Sequence, residues 1–217
     1  MLNATEIRVL GVLIEKEITT PEYYPLTLNA LTLACNQKNN RNPVTAYSES
    51  EVDEALNGLR EKNLAYVFHG STSRVPKYKH VAAEVLQLNP AEIAVLCVLM
   101  LSGAQTAGEI RTRASRMHPF ADLEELDETL RALAAKDPDP LVTKLPRQSG
   151  QKELRFAHLL AGEPEISVVA AEDGVARTSK RAHESERVEK LEQTVAMLRT
   201  DLDNLRSQFE EFRKQFD

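Results

Sequence analysis

Residues 2–13, LNATEIRVLGVL, return at residues 88–99 as LNPAEIAVLCVL, 86 positions further along the chain. Leu, Asn, Glu, Ile, Val, Leu, Val and Leu recur in the same order and spacing, which indicates a tandem duplication. A repeat of about 86 residues is far longer than the roughly 20 to 50 residues of a solenoid unit. We therefore expect each copy to be a small domain with its own core.

The rest of each copy follows the same order of segments once loops of unequal length are allowed. The segments that align are residues 27–37 with 106–116, 48–59 with 122–133, and the basic, turn-containing stretches 65–80 with 141–158. The first two pairs have a helical pattern, and the third is rich in residues that favour extended chain. Each copy is therefore predicted to contain three helices followed by a hairpin.

Helices one and three of each copy carry apolar residues at three-and-four spacing, which is typical of one buried face. For helix one, the predicted buried residues are Ile7, Val9, Leu10, Leu13 and Ile14, then Ile93, Leu96 and Met100. For helix three they are Val52, Leu56 and Leu59, then Leu126, Leu130 and Leu133. Helix three also begins with a capping-box spacing in both copies, Ser48 with Glu51 and Asp122 with Glu125.

Alternating residues and turn signals predict the hairpins. The residues concerned are Tyr66 and Phe68 before a turn at 70–73, and Leu154 and Phe156 after a turn at 148–150. Three short helices closed by a two-stranded hairpin make a winged helix. The predicted fold class is mainly α with small β-hairpins (α+β), with tandem winged-helix domains followed by a C-terminal coiled-coil helix.

The C-terminal tail changes pattern twice. Periodicity is lost over residues 163–183, where Gly, Pro and scattered charge predict a flexible linker. Apolar residues then recur at alternating three and four spacing, the heptad pattern of a coiled coil. They are Val188, Leu191, Val195, Leu198, Leu202, Leu205, Phe209, Phe212 and Phe216. The predicted boundaries are 1–86 for winged-helix domain 1, 87–162 for winged-helix domain 2, 163–183 for the linker and 184–217 for the coiled coil.

The expected partner of the coiled-coil helix is a second copy of the chain. In a parallel pair Arg187 would face Glu192 of the other helix, and Asp201 would face Arg206. An antiparallel pair would instead place Arg199 against Arg206, so the charges favour a parallel homodimer. A tail folded back on its own domains is the alternative, because a lone helix of this length is marginal without a partner.

Composition points to a cytoplasmic protein without catalytic, cofactor or metal sites. The N-terminus lacks a signal-peptide pattern, and the longest apolar run, residues 94–101, is far shorter than the roughly 20 residues that span a bilayer. Cys35 and Cys97 fall on predicted helices among apolar neighbours, so we expect buried thiols. The five His residues are scattered, and the chain has no glycine-rich phosphate loop or nucleophile elbow. We expect no enzymatic activity.

Double-stranded DNA is the partner that two winged helices suggest, although 33 Asp plus Glu outnumber 27 Lys plus Arg. What matters is whether basic residues cluster on one surface. The first hairpin has no acid between Glu61 and Glu84. The candidate DNA-binding residues are Lys38, Arg41, Arg74, Lys77, Lys79, Arg147, Lys152 and Arg155. The alternative is a solvated basic surface that offsets acidic helices beside it.

Helix three argues against insertion into the major groove, its usual role in winged helices that read DNA. Its first turns carry Glu49, Glu51, Asp53 and Glu54 in one copy and Glu124, Glu125, Asp127 and Glu128 in the other. Carboxylates there would face phosphate oxygens. DNA contact is therefore expected through the hairpins or the loop from Lys38 to Arg41. A further basic group, Arg111, Arg113 and Arg116, could simply pair with the acids of helix three.

Three blocks of the chain strongly resemble the YceH-like family of uncharacterised bacterial proteins. They are TTPEYYPLTLNALTLACNQKNNRNPV at residues 19–44, SESEVDEALNGL at 48–59 and GAQTAGEIRTRASRMHPF at 103–120. The resemblance extends over both domains and into the coiled coil. It implies a tandem winged-helix fold and no activity, because the family has no established function or catalytic residues.

The first copy has extra residues that the duplication does not explain, about seven near residues 20–25 and about five near 39–46. Ordered extra loops are a common place for a specific function. The candidate partner-binding residues are Tyr23, Tyr24, Asn36 and Gln37. The alternative is that Pro residues shape loops which only pack on the domain.

Two functions remain open. The first is a dimeric DNA-associated protein, such as a transcriptional regulator, in which the coiled coil sets the spacing of two pairs of hairpins. The second is a protein-protein interaction scaffold whose acidic helices dock a basic partner. A continuous positive strip favours DNA, and interrupted patches favour the scaffold. The analogy with other winged-helix proteins, which rests on the fold alone, favours the DNA-associated protein.

Overall fold

The computed structural model describes residues 1–68, 75–146 and 153–163. These residues form a mixed α/β structure with seven helices and two small antiparallel sheets. Within them, no helix has the length and hydrophobicity needed to cross a membrane. The hairpin tips, residues 164–183 of the predicted linker and the whole predicted coiled coil lie outside the described residues, as do Arg74, Arg147 and Lys152.

The predicted order of three helices and a hairpin occurs twice. The first repeat contains α1 (Ala4–Thr19), a 3-10 turn (Pro21–Tyr23), β1 (Leu26–Thr27), α2 (Leu28–Cys35), α3 (Glu49–Glu61), β2 (Ala65–Phe68) and β3 (Lys77–His80). A short helix, α4 (Ala82–Val85), connects the repeats. The second repeat contains α5 (Pro90–Ser102), β4 (Gln105–Thr106), α6 (Ala107–Ala114), α7 (Leu123–Ala134), β5 (Val142–Lys144) and β6 (Arg155–His158).

Each hairpin is joined by a third strand that the sequence pattern does not predict. β1 pairs with β3 through Leu26 opposite Tyr78, and β4 pairs with β6 through Gln105 opposite Phe156. The strand orders are β1-β3-β2 and β4-β6-β5. Two residues are too few to show the alternation by which a strand is recognised in a sequence.

Capping residues start both copies of helix three, but only one forms the predicted reciprocal box. Ser48 and Glu51 form it at α3. At α7 the side chain of Asp122 accepts from the backbone N–H of Glu125 at 2.9 Å, as predicted. The Glu125 carboxylate, however, accepts from the N–H of Ala121 at 2.7 Å rather than from Asp122. The box at α7 was therefore predicted wrongly, because Glu125 fixes the residue before the cap.

All the predicted core residues of helices one and three are buried. In addition, α1 is buried on every side from Glu6 to Ile14, and α5 from Glu92 to Ser102. The reason is that α1 and α5 pack against each other. The sequence predicts one core for each copy, whereas the buried residues of both repeats form one continuous hydrophobic cluster.

α1 and α5 meet at equivalent positions of the two repeats. Cys97 Sγ donates a hydrogen bond to the carbonyl oxygen of Gly11 at 3.3 Å, and these residues are 86 positions apart. Contact between equivalent residues is what a two-fold relation produces. A Cβ atom on Gly11 would lie 2.9 Å from Leu101 Cδ2, so glycine permits this close approach. Both cysteines are buried, as expected, and burial raises the pKa of Cys35 to about 12.

Candidate nucleic-acid interface

The outer surface of the first hairpin combines aromatic rings with basic groups. In the antiparallel register Tyr66 lies opposite Lys79, and Phe68 lies opposite Lys77. Residues that are directly opposite project from the same side of a sheet. Tyr66 is 38% exposed and Phe68 is 40% exposed, whereas the alternate residues are buried: Ala65, Tyr78 and His80. Tyr66, Phe68, Lys77 and Lys79 are called the first hairpin face below.

The two lysines of the first hairpin face have different surroundings. Lys79 Nζ lies 3.6 Å from Glu17 Oε1, and both side chains are more than one third exposed. An exposed pair of this kind contributes at most about 1 kcal/mol. Lys77 makes no ion pair within the part of the chain that the structure describes. The hairpin is thus free of acids in sequence, but α1 brings Glu17 to it in space.

Beneath this face, His80 and Tyr24 anchor the strand to the protein. The Tyr24 hydroxyl accepts a hydrogen bond from the backbone N–H of His80 at 2.8 Å, and the two rings meet edge to face. Burial raises the pKa of Tyr24. His80 Nδ1 accepts from the N–H of Ala82 at 3.2 Å, and Nε2 lies 2.8 Å from Glu17 Oε2. Tyr24 therefore packs inside the domain, and its assignment as a partner-binding residue was wrong.

The sequence predicts that Arg41 contacts DNA, but only 5% of its surface is exposed, so it is too deeply buried to do so. Its guanidinium donates to both carboxylate oxygens of Glu15, at 3.0 and 2.6 Å. It also donates to the carbonyl oxygen of Ala34 and to Gln37 Oε1. A buried charge requires this degree of pairing. Arg41 therefore holds the loop between α2 and α3 against α1.

Arg8 is a second buried arginine in this region and is not among the site residues predicted from the sequence. It donates to the carbonyl oxygen of Cys35 at 3.2 Å and to that of Pro43 at 2.7 Å. Burial and the nearby Arg41 lower the pKa of Arg8. The available signal was a charged residue among the apolar positions of helix one, where the second copy has Ala94.

Two of the proposed partner-binding residues serve this loop instead. The Asn36 side chain donates to the carbonyl oxygen of Tyr47 and accepts from its N–H, both at 2.8 Å. Gln37 is exposed but accepts from Arg41. The Asn36 amide is therefore used within this loop and Gln37 is partly committed to Arg41, so partner binding by these two residues stays a prediction. Tyr23, 72% exposed, and Lys38, also exposed, remain available to a partner.

Two basic residues of the second repeat, Arg155 and Arg111, are also bound within the protein. Arg155 Nη1 donates to the carbonyl oxygen of Ala104 at 2.8 Å and lies 3.7 Å from Glu109. Arg111 donates to the carbonyl oxygen of Ala121 at 2.6 Å. The sequence suggests that Arg111 pairs with the acids of helix three, but it binds the backbone of the loop before that helix instead. Arg155 is only partly free to meet a phosphate.

The acids of helix three remain on the surface. Glu49 and Glu54 of α3 are exposed, and so are Glu124 and Glu128 of α7. Hydrogen bonds from Ser48 lower the pKa of Glu51, which keeps that carboxylate charged. Both helices therefore present a negative first turn, which opposes their insertion into a groove of DNA.

Comparison with known proteins gives a consistent result. Residues 2–151 match the family described as "Protein of unknown function, DUF480". A UPF0502 protein of Geobacter sulfurreducens is 56% identical over 220 residues, covering 100% of this chain and 99% of the relative. A UPF0502 protein of Vibrio parahaemolyticus is 47% identical over 213 residues, covering 96% of each.

Proposed function

The chain belongs to the DUF480 (UPF0502) family of uncharacterised bacterial proteins, in agreement with its YceH-like blocks, and we propose that it is a non-enzymatic, DNA-associated protein. The family description assigns no activity, so the proposal depends on the surface of the protein. The observation that carries it is the first hairpin face, where two exposed aromatic rings lie opposite two lysines.

Each repeat is assigned to the winged-helix class within this proposal. The support is the order of elements, since three helices precede a hairpin in both repeats and the short strand after helix one joins the same side of the sheet. In this arrangement the hairpin is the wing. The predicted dimer, formed through residues 184–217, would present two first hairpin faces to one duplex.

The chemistry of the first hairpin face suits the backbone of DNA. Lys77 and Lys79 supply ammonium groups for phosphates, and each neutralised phosphate releases counterions. Tyr66 and Phe68 supply apolar rings that pack against deoxyribose or base edges in the minor groove. Because α3 and α7 are acidic, the duplex approaches the hairpin and not helix three. Binding of this kind depends on the backbone and reads little sequence.

The test is fluorescence anisotropy of the full-length protein with random-sequence duplex DNA at several salt concentrations. The slope of log affinity against log salt changes by about 0.9 for each phosphate contact. We therefore expect the double variant Lys77→Ala/Lys79→Ala to bind more weakly and to flatten the slope by about 1 to 2. Phe68→Ala should weaken binding without changing the slope.

Arg60→Ala/Arg131→Ala is the matched control, since it removes the same charge from the exposed sides of α3 and α7. It should bind DNA as the wild type does. Equal losses of DNA affinity in the two double variants would show that the effect comes from net charge and not from the first hairpin face. Absence of binding by the wild type at low salt would refute the DNA proposal.

A protein-docking role is the second candidate, favoured by the exposed acids at the start of α3 and α7. A basic partner would meet two acidic helices presented in the same way by the two repeats. Charge reversal at Glu49 and Glu54 would abolish such binding, while the DNA proposal expects the same change to strengthen DNA binding.

A further inference from the structure

A polar cleft lies where the two repeats meet. Its inner part has a volume of about 120 Å³, with walls from α1, the end of α5 and the turn after α6. Its outer part has a volume of about 510 Å³ and runs along α6. Asn40, Arg113 and Arg116 border both parts. This region is called the inter-repeat cleft below.

The longer loop of the first repeat forms one wall of the inter-repeat cleft. Asn42 donates its backbone N–H to the carbonyl oxygen of Leu101 at 2.9 Å, which attaches the loop to the second repeat. The Asn42 side chain adds a contact with the carbonyl oxygen of Ser102 at 3.4 Å. Arg41 fixes the same loop to α1 through Glu15. Asn40, with a φ of 56°, directly precedes these two attached residues, which hold its backbone at the wall of the cleft.

The charges that border the cleft favour an anion. Lys16, Arg113 and Arg116 supply three positive groups, and Lys16 Nζ lies 3.9 Å from Glu15 Oε2. The carboxylates at its border are already matched by other arginines, since Glu15 is bound by Arg41 and Glu109 lies 3.7 Å from Arg155. The side chains at the cleft and their ion-pair partners therefore carry a net positive charge, even though the whole chain is acidic.

The two cleft arginines retain free donors. Arg113 uses only Nε, which donates to Gln105 Oε1 at 3.2 Å, so both of its terminal nitrogens are open. Arg116 forms no hydrogen bond or ion pair with any described residue. Guanidinium groups with open terminal nitrogens bind phosphate oxygens in pairs, which adds geometric specificity to charge. Asn40 adds an amide at the opposite wall.

We propose that the inter-repeat cleft binds the phosphate group of a small molecule. Arg113 and Arg116 hold the phosphate, Lys16 adds charge from α1, and Asn40 contacts the ligand from the loop of the first repeat. The ligand touches both repeats and so stabilises their packing. This site is separate from the first hairpin face, and it accounts for the extra loop that the duplication leaves unexplained.

The test uses thermal unfolding of the full-length protein with inorganic phosphate and with pyrophosphate, against sodium chloride at equal ionic strength. A ligand that binds only the folded protein raises Tm in a concentration-dependent way. We expect both phosphates to raise Tm beyond the chloride control. Arg116→Ala, which removes no hydrogen bond or ion pair with a described residue, should weaken phosphate binding by about tenfold or more. Arg113→Ala/Arg116→Ala should abolish the shift.

Arg131→Ala is the matched control, because Arg131 is an exposed arginine on α7 outside the cleft. It should retain the full shift. An equal Tm rise in the Arg113/Arg116 variant, or none in the wild type, would overturn the proposal. Measuring DNA binding by the same variants distinguishes a small-molecule phosphate from the phosphates of the DNA backbone as the ligand of the cleft. Cleft variants that lose DNA affinity while phosphate leaves Tm unchanged would assign these arginines to the DNA backbone and refute a small-molecule site.

Discussion

The two repeats share one arrangement of elements and differ in the polar groups of their first helices. Where α1 carries Arg8 and Glu15, α5 carries Ala94 and Leu101 at the equivalent positions. The connection after the second helix also differs, with 13 residues between α2 and α3 and 8 between α6 and α7. The longer connection needs more hydrogen-bond partners, and the two buried arginines supply some of them, Arg8 to the carbonyl oxygen of Pro43 and Arg41 to that of Asn40.

What the repeats keep in common is equally informative. Glu6 caps α1 and pairs with Lys62 at 2.6 Å, while Glu92 caps α5 and pairs with Lys136 at 3.1 Å. Both carboxylates are almost fully buried, and both lysines follow helix three. This duplicated ion pair ties the first helix to the third in each repeat. The differences between the repeats are therefore additions to a shared framework.

The substitution expected to cost the most stability is Arg41→Ala, which removes a polar group found only in the first repeat. Glu15 would stay partly buried with only the longer, 3.9 Å contact to Lys16, and the carbonyl oxygen of Ala34 would lose its donor. We expect a loss of about 3 to 5 kcal/mol in the free energy of unfolding. Urea unfolding followed by circular dichroism measures this loss. Lys38→Ala, in the same loop but exposed, should change stability by less than about 0.5 kcal/mol.

The next largest effect is expected at the ion pair that both repeats share. Glu6→Ala and Glu92→Ala each remove a helix cap and a buried ion pair. We expect each to cost about 2 to 3 kcal/mol, because the lysines left behind are partly exposed and can reach water. Glu→Gln at either site keeps the capping oxygen and should cost less. If only one of the two Glu→Ala variants lowered the free energy of unfolding in urea, the ion pair would not play an equivalent role in the two repeats.

The sequence predicts most of the helical framework, because helix starts and buried faces depend on local spacing. Val52, Leu56 and Leu59 illustrate this, since their pattern alone marks the face that the structure buries. The predictions that failed concern contacts between residues far apart in the sequence. The basic character of Arg41 predicts exposure, but Glu15 lies 26 residues away in sequence and only folding brings the two together. For the same reason Glu17 reaches an acid-free hairpin.

A smaller effect is expected where the two first helices meet. Gly11→Ala would place a methyl group 2.9 Å from Leu101 Cδ2 and 3.2 Å from Met100 Cβ. Overpacking of this kind should cost about 1 to 2 kcal/mol, measured as a fall in the urea midpoint. Gly108→Ala on α6 is the matched control, because nothing lies within 4 Å of the added methyl group. It should stabilise the protein by about 0.5 to 1 kcal/mol, and a similar gain at Gly11 would contradict close packing of α1 on α5.

The smallest effect concerns His80 and His158, which end β3 and β6 at equivalent positions. Burial lowers the pKa of both, but at His80 the nearby Glu17 opposes the shift. Below the unfolded-state pKa of about 6.5 the unfolded chain binds more protons, so stability falls as the pH drops from 6.5 towards the native pKa. Above about pH 7 neither histidine affects stability by titration.

His158→Gln should therefore reduce the loss of stability between pH 7.5 and 5.5 by up to about 1 kcal/mol, measured by urea unfolding at each pH. His80→Gln should reduce it less, because the Glu17 carboxylate near Nε2 favours the protonated ring and keeps its pKa closer to 6.5. Neither His158 Nδ1 nor His80 Nε2 makes a hydrogen bond of good geometry in the described part of the chain, but only His80 has a carboxylate oxygen nearby, at 2.8 Å. If His80→Gln proved the more effective substitution, Glu17 would not stabilise protonated His80, and the acid beside the first hairpin face would serve Lys79 alone.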